Sequence, residues 1–177
     1  MLMSVGGDIF VVMKIKMISW NVRDLIDPRK RLMVKNLLWE WKCDVVFLQE
    51  RKIASMNRQL VCSLWSCPYV DWAVLEADWT ASGILIMWDK RVLDKVEVMV
   101  GTFSVSVKWQ GVEDNFIWAC SGVYGPNENN KRGHMWEELV GIQQYWRIQW
   151  CYFGDFNIVH FPSERKGETS LTLALVK

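Results

Sequence analysis

Apolar residues recur along this chain with two different periods, and the changes of period mark its elements. Residues 14–20 alternate, with Ile15, Met17 and Ser19 set against Lys14, Lys16, Ile18 and Trp20. That pattern predicts a strand ending at Asn21. Asp27-Pro28 then supplies a helix cap followed by proline at the first helical position, and Val34, Leu37, Leu38 and Trp41 fall at i, i+3, i+4, i+7. After Lys42, residues 45–48 form a short continuous apolar run, the pattern of a strand buried on both faces, and it delivers Gln49-Glu50 at its end. The opening therefore reads strand, helix, strand.

The rest of the chain continues in the same alternation. A second helix is expected over 55–64 and a strand over 69–75. Residues 83–88 (Gly-Ile-Leu-Ile-Met-Trp) are another doubly buried run, and Val96, Val98, Val100 and then Phe103, Val105, Val107 alternate with period two. Gln110-Gly111 marks a turn into a strand over 115–123 that completes an antiparallel pair. Met135, Leu139, Ile142 and Trp146 give a third helix, and residues 149–153 a strand that runs into Gly154-Asp155-Phe156-Asn157. Helices and strands mixed in this order predict an α/β sandwich of stacked layers.

Composition narrows the picture. At 177 residues one domain is the natural reading. Hydrophobic residues make up 51% and charged residues 23%, so neither disorder nor a fibrous fold is expected. The 21 Lys and Arg balance 20 Asp and Glu, and any nucleic-acid contact must be local rather than driven by a global positive charge. Twelve Trp supply large apolar area, expected mostly in the core. Trp65, Trp72 and Trp79 are spaced by seven but cross helix, strand and loop, so no stacking stripe is expected. Five Cys, none in a C-x-x-C pair or at zinc spacing with either His, suit a reduced, intracellular chain with no disulfide-linked partner, in nucleus or cytoplasm. No stretch approaches the roughly 18 apolar residues of a membrane helix, and no membrane association is expected. Residues 1–13 are expected to be a disordered leader outside the fold.

Chemistry is expected where polar groups follow buried strands. Asn21 follows the first strand, Glu50 the second, Tyr124 the strand over 115–123, and Asp155 and Asn157 the strand over 149–153. Each alone is an ordinary strand end, and the pattern is what carries weight. Gathered on one rim, two carboxylates, two amides and a phenol suit a hard divalent cation and a phosphate. Glu50 is then a magnesium ligand, Asp155 orients or deprotonates a water, Asn21 and Asn157 hold phosphate oxygens, and Tyr124 donates a further hydrogen bond. Gly154 permits the sharp turn before the acid. Arg29-Lys30-Arg31 and Lys131-Arg132 are short basic clusters, read as solvated helix starts. No P-loop, G-x-S-x-G, H-E-x-x-H or G-x-G-x-x-G occurs, which removes P-loop nucleotide triphosphatases, α/β-hydrolases, zincins and Rossmann enzymes from contention.

Five segments carry a resemblance: Ser19-Trp20-Asn21, Leu48-Gln49-Glu50-Arg51-Lys52, Ser82 to Trp88, Val123-Tyr124-Gly125-Pro126-Asn127 and Gly154-Asp155-Phe156-Asn157. In this order they resemble the endonuclease/exonuclease/phosphatase superfamily. Within it, Trp20-Asn21-Val22-Arg23, the stretch Asp27 to Arg31, and Phe161-Pro162-Ser163-Glu164-Arg165 are similar to the endonuclease domain of plant non-LTR, LINE-type retrotransposon polyproteins. The resemblance runs over 14–168 and leaves 169–177 as a divergent tail.

It implies a four-layer α/β sandwich of two mixed sheets flanked by helices, and hydrolysis of a DNA phosphodiester with magnesium, or manganese in its place. The expected product is a nick with a 3′-hydroxyl. It would give Glu50 the metal with Asn21 beside it, Tyr124 and Asn157 the phosphate, and Asp155 the water. Asp24, Arg51 and Ser82 depart from the pattern, which has Gly, Thr and Gly there. After Glu168 the sequence does not continue into the closing strands or the Ser-Asp-His motif, and neither His134 nor His160 stands in its place. The expectation is an incomplete fold, monomeric, with weak contact to the DNA backbone and impaired catalysis. The alternatives are a non-catalytic relic and a small-molecule phosphoesterase of the same superfamily.

Overall fold

A computed structural model describes residues 2–5, 8–11, 14–22, 25–51, 55–76 and 83–157. The expectations placed on Asp24, Lys52, Trp79, Ser82, His160, residues 161–165 and the tail over 169–177 lie outside the described residues.

The stretch expected to be a disordered leader holds an antiparallel pair, β1 (Leu2–Val5) with β2 (Asp8–Val11), which forms a sheet of its own. Two four-stranded sheets follow. The first has the order β3 (Met17–Asn21), β4 (Val45–Arg51), β6 (Gly83–Asp89), β5 (Val70–Leu75), with β3 parallel to β4 and the other pairs antiparallel. The second has the order β10 (Gln149–Asp155), β9 (Ile117–Tyr124), β8 (Ser104–Gly111), β7 (Leu93–Val100), with only β10 and β9 parallel. Both sheets are mixed, as expected.

The doubly buried runs explain the layering. In β4, Val45 and Phe47 enter the core between the sheets, whereas Val46 and Leu48 face the helices α1 (Pro28–Trp41) and α2 (Arg58–Leu64). In β6, Ile84, Ile86 and Trp88 face inward and Leu85 and Met87 outward. On the far side α3 (Asn129–Trp146) buries Met135, Leu139, Ile142 and Trp146 against Val123 and Ala119 of β9. The result is four layers: α1 and α2, sheet, sheet, α3.

Local chemistry sets the helix boundaries. Asp27 caps α1 by accepting the Arg29 backbone N–H at 2.8 Å, and Asn57 caps α2 by accepting from Leu60 at 2.9 Å. That cap starts α2 at Arg58, three residues later than the start expected from the sequence. The helices α1 and α3 end on Lys42 and Arg147, both in the left-handed region, whose N–H groups return to Leu38 and Gln143. Residues 14–16 precede the first strand rather than belonging to it.

One alternation misled. Val96 and Val100 are 47% and 59% exposed, because among the described residues β7 is the edge of its sheet and a bulge between Lys95 and Glu97 shifts its register. The glutamate at 138 ties α3 to the β7–β8 turn. Its carboxylate accepts the N–H groups of Thr102 and Phe103 and the Ser104 hydroxyl, filling the space a side chain on Gly101 would need.

Contacts between the sheets fix their relative direction. A Cβ on Gly122 of β9 would lie 2.7 Å from Ile84 and 3.6 Å from both Ile86 and Phe47, so the absence of a side chain lets the sheets close there. Substituting Gly122→Val should overpack this contact and cost about 1–3 kcal/mol, measured by urea unfolding. A variant as stable as the parent would contradict the packing described.

Asp89, at the end of β6, accepts the backbone and guanidinium N–H groups of Arg91. Burial pushes its carboxyl up, and the Arg91 hydrogen bonds outweigh that and hold it below the usual carboxylate value. A lowered folded pKa contributes stability that is present above the unfolded pKa of about 4 and is lost as pH falls through the folded value. Asp89→Asn should therefore flatten the acid limb of a Tm-against-pH curve. An acid limb as steep as the parent's would refute this.

Candidate active site at the strand-end rim

The two inter-sheet contacts lie at opposite ends of the sandwich. Trp88, opposite Val45 at the start of β4, meets Trp109 at 5.6 Å, and Trp109 pairs with Trp118 near the start of β9. Ile84, opposite Gln49 near the end of β4, meets Gly122 near the end of β9. The strands β4 and β9 therefore run in the same direction. With β3 parallel to β4 and β10 parallel to β9, the four strand ends at Asn21, Glu50, Tyr124 and Asp155 lie along one rim. Phe47 and Phe153, with ring centroids 4.9 Å apart, pack β4 against β10 just beneath it.

Each position is built by its neighbours. Asn21, half-buried, is the last residue of β3 and pairs in register with Gln49. Gln49 is almost fully buried and donates through Nε2 to Ser19 Oγ at 2.7 Å, which locks β3 to β4. Glu50 is the extra residue in a bulge: Gln49 opposes Ile84 and Arg51 opposes Gly83. Bulges beside functional sites re-aim one residue and end regular pairing.

Tyr124, half-buried against the inter-sheet core, opposes Asp155 and donates its backbone N–H to Phe103 O. Gly154 allows this close pairing, since a Cβ there would lie 1.9 Å from Val123 O.

The Asp155 and Tyr124 loops are held as one unit. Asp155 Oδ1 accepts the Asn157 backbone N–H at 2.8 Å, and Gly125 N–H donates to Asp155 O at 2.7 Å. Asn157, at φ 50°, sends Nδ2 to Gly125 O at 2.6 Å. From α3, Arg132 donates to Asn157 O at 2.7 Å, and Trp136 stacks on Phe156 at 5.7 Å. One of the two Asn157 amide hydrogens is thus engaged in bracing the loops.

Sequence reasoning gave no role to Gln49 or Trp136 and missed the Glu50 bulge. The adjacency of Gln49 to Glu50 was the available signal for the first, whereas a bulge depends on the partner strand. The basic clusters behave only in part as read, since Arg31 and Arg132 are half-buried and donate to backbone carbonyls. Arg29 pairs with Asp27, Arg31 donates to Leu25 O and Ile26 O, and Lys131 pairs with Glu128. His134 is exposed on α3, and among the described residues no group of three His, Cys, Asp or Glu converges in metal-binding fashion.

No family model matches the sequence, and no curated protein does. Solved structures do. The chain superposes on a mannosyl-6-phosphatase from Bacteroides thetaiotaomicron with a TM-score of 0.64 at 11% identity, covering 82% of this chain and 66% of that one. It superposes equally, at 0.64 and 11%, on an endonuclease/exonuclease/phosphatase family protein from the same organism, covering 81% of this chain and 63% of that one. The fold is that of the endonuclease/exonuclease/phosphatase proteins. The catalytic domain of human Nocturnin shares the same fold, with a TM-score of 0.58 at 15% identity over 81% of this chain and 65% of that one. This chain therefore spans a little under two thirds of the length of these endonuclease/exonuclease/phosphatase structures.

The loop brace is testable at Asn157, whose left-handed backbone suits Asn or Gly. Asn157→Gly loses only the amide bond, while Asn157→Ala loses the bond and strains the backbone. Stability should fall in the order parent, glycine, alanine, with the last step about 1 kcal/mol in thermal unfolding. A glycine variant as stable as the parent would contradict the brace, and equal stability of the two variants would contradict the backbone strain.

Proposed function

We propose that the rim is a phosphodiester-cleaving site that acts on DNA as a LINE-type nicking endonuclease does. The observation that carries this reading is the alignment of the ends of β3, β4, β9 and β10, which gathers Asn21, Glu50, Tyr124 and Asp155 from strands far apart in sequence. The DNA specificity rests on the retrotransposon-like segments of the sequence.

The donor set fits magnesium or manganese. It offers carboxylate oxygens, an amide and a phenol with no thiolate or imidazole, and an ion that keeps most of its water needs only one or two protein carboxylates. Glu50 would hold it, with Asn21 beside it. When bound, such an ion polarises a phosphoryl oxygen and stabilises the charge that develops on it.

The remaining work belongs to the chain itself. The Asn157 backbone N–H fixes one oxygen of Asp155, so that the other can orient an attacking water or accept its proton. The second Asn157 amide hydrogen and the Tyr124 hydroxyl would donate to the phosphate oxygens, where pre-placed donors are most effective.

These 177 residues contain no Ser-Asp-His sequence. Tested alone, the chain should therefore act about 10²–10⁴ times more slowly than one with a positioned acid–base group.

The test is nicking of supercoiled plasmid with magnesium. The expected result is slow nicking that leaves a 3′-end extendable by a polymerase and is lost in both Glu50→Gln and Asp155→Asn. Nicking that is fast, or that survives either substitution, would overturn the assignment. One neighbour is a mannosyl-6-phosphatase, which favours a small phosphorylated molecule as the second reading. Release of phosphate from a sugar phosphate without plasmid nicking would select it.

A further inference from the structure

Behind the rim, two cysteines face each other across the parallel pair β9 and β10. Cys120 and Cys151 are register partners, and their sulfurs lie 3.2 Å apart. Adjacent strands are separated by about 4.8 Å, which is within the Cα separation a disulfide spans. Both thiols are free. Cys120 is fully buried in the inter-sheet core, whereas Cys151 is half-buried on β10, which among the described residues is the outer strand of its sheet.

From this geometry we propose that Cys120 and Cys151 are a redox pair that hydrogen peroxide converts to an intramolecular cross-strand disulfide. The division of labour follows from their surroundings. Burial, together with the contact with Cys151, pushes the Cys120 thiol well above its usual value, while the hydrogen bond between the two sulfurs lowers that of Cys151. Burial raises the thiols of Cys43 and Cys67. Cys151 is thus both the more accessible sulfur of the pair and the better nucleophile at neutral pH.

In the first step the Cys151 thiolate attacks the peroxide. An S–O bond forms, the O–O bond breaks, and hydroxide leaves and is protonated to water. In the second, the Cys120 sulfur attacks Cys151. The S–S bond forms, the S–O bond breaks, and hydroxide departs with the Cys120 proton as a second water. Two thiols are oxidised by two electrons in all, and one peroxide is reduced to two waters.

The positions give the bridge a consequence. Cys120 and Cys151 lie four residues before Tyr124 and Asp155, on the same face of their strands, so the disulfide would fasten together the two strands that end in those residues.

The experiment treats the 177-residue chain with one equivalent of hydrogen peroxide, then denatures and alkylates it for mass analysis. Alkylatable thiols should fall from five to three, with a reducible cross-link joining the peptides that contain Cys120 and Cys151. Cys120→Ala should stop at a sulfenic acid on Cys151, trapped by a 1,3-diketone. A Cys151 carrying two added oxygens with Cys120 still alkylatable, or a bridge between other cysteines, would overturn the proposal. The wild-type measurement decides it even if the variant does not fold.

Discussion

The structure depends on one close approach between its two sheets. Gly122 presents no side chain to Ile84, Ile86 and Phe47, and the first sheet settles into that gap. Phe47 then reaches Phe153 on β10, and at the other end Trp88 meets Trp109. Sheets packed face to face keep their strands roughly aligned, so these contacts also set direction. Four strands, the first and last more than a hundred residues apart in sequence, consequently end at one rim.

Much of this was legible in the chain. The continuous runs at β4 and β6 announce strands covered on both faces, and they sit between a helix layer and a second sheet. The Asp27-Pro28 start of α1 and the buried stripe of α3 follow from local chemistry and period alone. What failed was β7, where alternation is present but Val96 and Val100 face solvent, because edge position and a bulge are decided by the partner strand. The Glu50 bulge escaped for the same reason. Side-chain period is a property of one strand, whereas register belongs to two.

The site shows the same division. Its members could be named from their place after buried strands, but their joint placement could not. Asn157 is the clearest case, since its type suggested a phosphate donor while the fold gives one of its hydrogens to Gly125 O. Arg132, read as a solvated cation, donates instead to the Asn157 carbonyl. The loop after β10 is therefore held from α3 by the Arg132 guanidinium, which donates to a backbone carbonyl.

The most direct check on the account is where a divalent ion sits. Crystals of the chain equilibrated with manganese and measured near its absorption edge should show one anomalous peak at the rim, bonded to the Glu50 carboxylate with the Asp155 loop facing it. A peak elsewhere, or Glu50 and Asp155 on opposite sides of the sandwich, would contradict it.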